Sequence, residues 1–255
     1  MVNIFMARLD VSLREEFDRS RLNFPKGTPF WKDSSFQKAL ECHPQLKEVV
    51  TYLPPDLETE IFYGQADIEA LWSSYKDHGY GYFFYALTRV LKPKLCVEIG
   101  VLQGFSLFTV ASALRDNGGG MVIGFDLFED YPYHHENYLA VLERIKTLRL
   151  ENWSEANRLD ALEVHKKFRK VDLLHVDISN NGDTYFDIFE QWANKVNKVM
   201  LFEGGSVERD KVEWMIKYKK PPITKALDEI RIKYPCWSIT VFNPYPSLTV
   251  ATRVA

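Results

Sequence analysis

The segment Cys96-Val-Glu-Ile-Gly-Val-Leu-Gln-Gly-Phe-Ser106 carries the residues whose types and order most directly imply chemistry. Gly100 permits a tight turn after a β run, and Gly104 lets the backbone approach a ligand closely as a helix begins. A dinucleotide-binding turn would read GxGxxG and receive a pyrophosphate at the helix N-terminus. Here the glycines are spaced Gly-x-x-x-Gly, and Glu98 stands just before them. A carboxylate at that place repels a pyrophosphate and suits a ligand with a cationic amino group. Asp126 ends the next β run, Ile123-Gly-Phe-Asp126, about one βαβ unit later, where a carboxylate can accept two hydrogen bonds from a ribose diol. The alternative for Asp126 is a helix N-cap at the strand end.

Other polar residues cluster after the later β runs. Asp177-Ile-Ser-Asn-Asn-Gly-Asp183 is rich in oxygen donors. Asp177, Asp183 and Glu203 together could hold a hard divalent cation such as Mg2+. The competing reading is an Asx-rich turn that caps the helix around Thr184. A calcium loop is excluded because Ile188 stands where the bidentate Glu would be. His134 and His135, in Tyr131-Pro-Tyr-His-His-Glu136, have a pKa range suited to removing an acceptor proton, although each could be a plain surface residue. His175 lies inside an apolar run and reads as a satisfied core histidine or a support for the site. Cys96 reads as core.

The elements that must position these residues follow from the apolar pattern. Short runs at Leu95 to Ile99, Met121 to Phe125, Val171 to Val176 and Val199 to Phe202 read as buried strands, with a weaker one near Asn152 to Ala156. Helical stretches lie between them: Ser106 to Leu114, Tyr138 to Leu148, Ala161 to Phe168, Thr184 to Val196 and Arg209 to Tyr218. Trp237 to Phe242 and Leu248 to Thr252 flank Asn243-Pro-Tyr-Pro-Ser247 and read as a hairpin. The alternation predicts an α/β fold, a doubly wound and mostly parallel sheet with an antiparallel C-terminal hairpin. Ligands of such sheets bind beyond the carboxyl ends of the strands. Before Leu95 the chain reads as helices broken by prolines: Val11 to Leu22, Ser34 to Cys42 with Ser34 or Ser35 as N-cap, Asp67 to Tyr75, and Tyr80 to Leu91. The expected organisation is an N-terminal helical extension or lid over residues 1–79 and a ligand-binding domain over 80–255. The aromatic residues Tyr80, Tyr82, Phe83, Phe84 and Tyr85 either pack a helix on the sheet or line a substrate pocket.

Composition narrows the class. The chain has 255 residues, 46% of them hydrophobic, and a net charge of −3, so it lacks the basic excess of a nucleic-acid-binding surface. Lys217, Lys219 and Lys220 read as a solvated helix end. Three scattered cysteines give no disulfide or zinc pattern and fit a reducing, cytoplasmic setting. No run approaches a membrane span.

Glu98-Ile-Gly-Val-Leu-Gln-Gly104 resembles motif I of the class I S-adenosylmethionine (SAM)-dependent methyltransferases, whose fold is Rossmann-like. Gly100 to Gly104 followed by Ser106 is similar to the catechol-type, small-molecule O-methyltransferases, and Val171 to Asp177 looks like their motif IV. The resemblance runs from about Tyr80 to the C-terminus. It implies that Glu98, Gly100, Gly104 and Ser106 hold the methionine part of SAM, that Asp126 binds the ribose beside Leu127, and that Asp160 reads the adenine amino group, unless Asp160 is an N-cap. It also implies catalysis at Asp177; apart from the resemblance, His134 and His135 are the candidate bases where no metal takes part. Catechol-type relatives complete a metal site with an Asp-Asn pair after the fifth strand; here that place reads Glu203-Gly204-Gly205. The expected activity is methyl transfer from SAM to a small molecule, to a hydroxyl of a sugar or natural-product intermediate. The alternatives are a nicotinamide-dependent oxidoreductase or a catalytically silent SAM-fold binding protein. The aromatic-rich N-terminal helices suggest a homo-oligomer, and neither nucleic acid nor membrane is an expected partner.

Overall fold

A computed structural model describes residues 27–57, 66–132 and 135–254. The helix expected over Val11 to Leu22 lies outside them. Five short apolar runs form parallel strands: β1 (Leu95–Ile99), β2 (Met121–Asp126), β3 (Ser154–Arg158), β4 (Val171–Val176) and β5 (Val196–Glu203). β6 (Trp237–Phe242) and β7 (Leu248–Arg253) form the hairpin, and β7 pairs antiparallel with both β5 and β6. The sheet order is β3-β2-β1-β4-β5-β7-β6. The order reverses between β1 and β4, which opens a crevice beyond their carboxyl ends.

The helices are α1 (Ser34–Cys42), α2 (Ala66–Glu69), α3 (Tyr80–Leu91), α4 (Phe105–Asp116), α5 (Tyr138–Thr147), α6 (Ala161–Val164), α7 (Gly182–Trp192), α8 (Val207–Asp210), α9 (Glu213–Lys217) and α10 (Ile223–Lys233). They cover both faces of the sheet. Strand alternation sends Cys96 of β1 into one apolar layer, with residues of α1, α3, α4 and α5, and sends Val97 and Ile99 into the other, with residues of α7 and α10. None of the described helices is long and apolar enough to cross a membrane.

The N-terminal residues share the first of these layers. The Phe30 ring lies 4.5 Å from that of Tyr80 and 5.6 Å from that of Phe242, stacked on both, with Phe36 and Phe83 edge-on. Each such ring pair adds about 0.5–1.5 kcal/mol beyond burial. Tyr80, Tyr82, Phe83, Phe84 and Tyr85 are all buried, so packing is the correct reading of α3. These rings are consumed inside the chain.

Several expected elements differ in detail. Asp33, not Ser34 or Ser35, caps α1, accepting from the Ser35 N–H, while the Ser35 hydroxyl accepts from Asn243 N–H. The Asp67 to Tyr75 stretch is helical only through α2. The Lys76 ammonium takes the carbonyls of Glu69 and Leu71, and the Trp72 N–H donates to Gln103 Oε1 at 2.7 Å. Arg209 to Tyr218 is two short helices because Asp210 turns away to accept from the N–H groups of Ile223 and Thr224 at the start of α10. The sequence reading omits α10 itself, although Ile223, Ala226, Leu227 and Ile230 have helical spacing and form its buried face.

His43 ties the N-terminal layer to the hairpin. Its ring is 0% exposed, with Nδ1 2.5 Å from Thr252 Oγ1 and Nε2 2.7 Å from Thr240 Oγ1. Burial lowers its pKa from 6.5 to about 4. Between those values the unfolded chain binds a proton that the native ring refuses, so stability falls as pH drops from 6.5 toward 4. Urea unfolding across that range should show the decline, and His43→Gln should flatten it; an unchanged slope would assign the decline to other groups.

Candidate functional site

The site is built around the turn from β1 into α4. Gly100 and Gly104 have φ of +90° and +92°, a region that L side chains rarely adopt. A Cβ on Gly100 would lie 1.9 Å from the Asp177 carbonyl oxygen, and one on Gly104 would lie 2.5 Å from the Phe108 ring. Gly104 is the N-cap of α4, and among the described residues no side chain caps that helix start. Its first N–H groups therefore suit an anionic group of a ligand.

Asp126 holds this turn from the neighbouring strand. Its Oδ2 accepts from the N–H groups of Val101 (2.7 Å) and Leu102 (3.0 Å), and its Oδ1 accepts from Phe128 N–H (2.8 Å). Leu102 sits at φ +49°, an unusual backbone for a leucine, which the Asp126 bond helps to fix. A carboxylate has about four lone-pair sites, so these bonds leave little but some capacity for a ribose. Sequence reasoning placed Asp126 at a ligand; its clamp on the turn had no sequence signal. Leu127 follows half-buried. Asp160 caps α6, accepting from Leu162 N–H at 2.9 Å, in line with the N-cap alternative.

Behind the turn lies a buried polar chain. Ser106, in the first turn of α4, donates to Glu98 Oε1 at 2.9 Å. Glu98 is 1% exposed, and its Oε2 has no hydrogen-bond partner among the described residues; His175 Nδ1 stands 3.3 Å away. The two residues are register partners on β1 and β4. His175 Nε2 is 3.1 Å from the hydroxyl of Tyr75, which is 1% exposed. His175 thus has the supporting place expected of it. Tyr75 was missed, since nothing in its local sequence marks it.

On the other side of the crevice, Asp177 follows β4, half-buried, with its N–H on Ile99 O at 2.8 Å. Burial first, then Asp177 and Glu203, push the Tyr75 phenol well above its usual pKa, so it stays a proton donor. The Tyr131 hydroxyl reaches Ser179 Oγ at 3.4 Å, joining the loop after β2 to the loop after β4. His135 is exposed ahead of α5, and His134 lies outside the described residues.

Asp177, Asp183 and Glu203 are not gathered into a metal site. No group of three His, Cys, Asp or Glu residues among those described could hold a metal ion. Asp183 is exposed in the first turn of α7, whose N-cap is Asn181, in agreement with the Asx-turn reading. Glu203 is buried and already paired: Arg209, 0% exposed, brings Nε to Oε1 at 3.1 Å and Nη2 to Oε2 at 3.3 Å. The Asn180 amide also donates to Glu203 Oε2 at 3.3 Å. A resident guanidinium neutralises the carboxylate that a cation would need, so the residues present do not fit a divalent metal. The sequence reading gave Arg209 no role; a buried Glu needs a counter-charge, but spacing alone does not name it.

Comparison with known proteins agrees with this arrangement. A family model described as a methyltransferase domain matches residues 97–201. The chain is 26% identical over 143 residues to the probable caffeoyl-CoA O-methyltransferase 1 of Dictyostelium discoideum, and 25% identical over 143 residues to the probable caffeoyl-CoA O-methyltransferase 2 of that organism. Each alignment covers 56% of this chain and 56% of the relative, so the chain spans about half the length of the curated relatives it matches. Among solved structures it resembles an O-methyltransferase from Bacillus cereus in complex with SAH, with TM-score 0.56, 15% identity, and coverage of 88% of this chain and 99% of that one. It also resembles the O-methyltransferase TomG from Streptomyces achromogenes, involved in tomaymycin synthesis and in complex with SAM, with TM-score 0.56, 14% identity and 96% coverage of each chain. At these identities the structural likeness is one of fold.

The turn gives a direct test. Gly100→Ala meets backbone, which cannot yield, and should cost about 2–4 kcal/mol in urea unfolding. Gly119→Ala, where a Cβ meets nothing within 4 Å, should cost nothing. Equal stability of the two variants would show that the β1 turn is not sterically fixed.

Proposed function

We propose that this chain, which carries a methyltransferase domain of the class I fold, transfers a methyl group from SAM to an oxygen of a small-molecule acceptor. The observation that carries the reading is the turn between β1 and α4. It joins glycines with no room for a Cβ to a helix start that no side chain caps and a buried carboxylate with one oxygen lacking a hydrogen bond, both among the described residues. That combination suits an amino-acid zwitterion, its carboxylate at the N–H groups of α4 and its ammonium on the Glu98 side. Asp126 would receive the ribose, with Leu127 and Asp160 toward the base.

SAM, when bound, supplies a methyl already activated on a sulfonium. The chain's task is to orient the acceptor, exclude water and receive a proton. The contact of Tyr131 with Ser179 narrows the crevice. Asp177, at the end of β4, is the proposed acceptor of the hydroxyl proton, with His134 and His135 as the alternative bases. An oxygen acceptor is supported by the O-methyltransferases among the relatives. No metal enters the reading, because Arg209 already answers the charge of Glu203.

Calorimetry should show micromolar binding of SAM and SAH and none of NAD; NAD binding alone would overturn the reading in favour of an oxidoreductase. Asp126→Asn should weaken SAM about tenfold, as expected for loss of a charge-assisted hydrogen bond. With tritiated-methyl SAM and a panel of hydroxylated acceptors, turnover should survive EDTA, and Mg2+ should give no binding heat. A rate restored only by Mg2+ would show that Glu203 exchanges Arg209 for a metal.

A further inference from the structure

Burying the Glu98 carboxylate requires compensation, and its visible partners are few. Ser106 serves Oε1. Among the described residues Oε2 faces His175 Nδ1 at 3.3 Å, long against the ~2.8 Å of a full charge-assisted bond, and makes no hydrogen bond. The oxygen therefore stands against His175 without being saturated by it, and keeps capacity for a ligand. What His175 presents to Glu98 depends on its other nitrogen. A neutral imidazole donates from one nitrogen and accepts at the other. The Tyr75 hydroxyl stands 3.1 Å from Nε2 and, kept protonated by burial and by the carboxylates of Asp177, Glu203 and Glu98, is able to donate to it. In that arrangement Nδ1 carries the proton and faces Glu98 Oε2 across 3.3 Å, with no hydrogen bond formed between them among the described residues. The Phe84 ring packs on both members, with centroids 4.9 Å from Tyr75 and 4.9 Å from His175, and keeps the chain dry. In such surroundings each hydrogen bond is electrostatically stronger than in water.

We propose that Tyr75 and His175 are positioning residues of the cofactor site, which orient Glu98 toward the ligand's ammonium group. This rests on the SAM reading above. It makes the segment ahead of α3 a working part of a pocket that the family resemblance places entirely after it.

The test separates the ammonium contact from general packing. Binding is measured for S-adenosylhomocysteine and for its analogue with hydrogen in place of the α-amino group. In the wild-type chain the amino group should be worth about tenfold or more. Tyr75→Phe should cut that ratio about three- to tenfold, while affinity for the deamino analogue stays within about twofold. His175→Leu should abolish the preference. His175→Asn keeps an N–H at the Nδ1 position and should restore much of it, and in that background Tyr75→Phe should have no further effect. If Tyr75→Phe weakens both ligands equally, or leaves the ratio unchanged, the chain is scaffolding only and the proposal falls. If the wild type binds both ligands equally, the SAM reading stands but Glu98 does not meet the ammonium, and the proposal falls. If the wild type binds neither, the SAM reading fails and takes the proposal with it.

Discussion

A carboxylate buried in the middle of a parallel sheet sets the terms for the structure around it. Glu98 is register partner to His175 on one side and to Gly124 on the other, neighbours that leave it no solvent. Left alone, such a charge would neutralise or disrupt the fold. Its compensation draws on three separate parts of the chain: Ser106 at the start of α4, His175 on β4, and Tyr75 from the segment before α3. Long-range order in this half of the molecule is thereby tied to one buried side chain. The Asp126 clamp is a second instance. A carboxylate on β2 accepts from the amides of the turn that leaves β1 and so fixes its course.

The sequence was most legible where the physics is local. Leu95–Ile99, Val171–Val176 and Trp237–Phe242 form strands with the boundaries their apolar runs imply, and Tyr80–Leu91 ends as helix where Lys92-Pro93 requires. The glycines of the β1 turn and the Asp at the end of β2 were legible because residue type there is dictated by backbone geometry or by charge. Failures came where a distant side chain decides a local outcome. Lys76 and Gln103 end the helix expected over Asp67 to Tyr75, and Asp210 divides the one expected over Arg209 to Tyr218. β3 begins later than its apolar residues suggest, because Trp153 O still bonds the edge of β2 and pairing starts at Ser154. Tyr75 and Arg209 were invisible for the same reason: each matters through a partner brought near only by the fold.

The ends of β4 and β5 treat acidic residues in opposite ways. Glu203 is sealed, its carboxylate shared by Arg209 and Asn180 and its carbonyl held by the Tyr185 hydroxyl at 2.7 Å. Asp177 stays half-open beside the turn. A buried ion pair of this kind adds little net stability but is costly to break, at about 3–5 kcal/mol when one partner is removed. Its contribution is geometric. It fixes the end of β5 beside the crevice.

Phe30, stacked between Tyr80 and Phe242, closes the first apolar layer from outside the residues that the family model matches. Residues 97–201 match the family model, yet the strand hairpin, α3 and the segment holding Phe30 and His43 all lie beyond those limits. The residues that the family model matches and the residues that complete the core therefore have different borders. A fragment trimmed to residues 97–201 would expose the edge of β5 that pairs with β7 and the apolar side of α4, and would lose Tyr75 from behind Glu98.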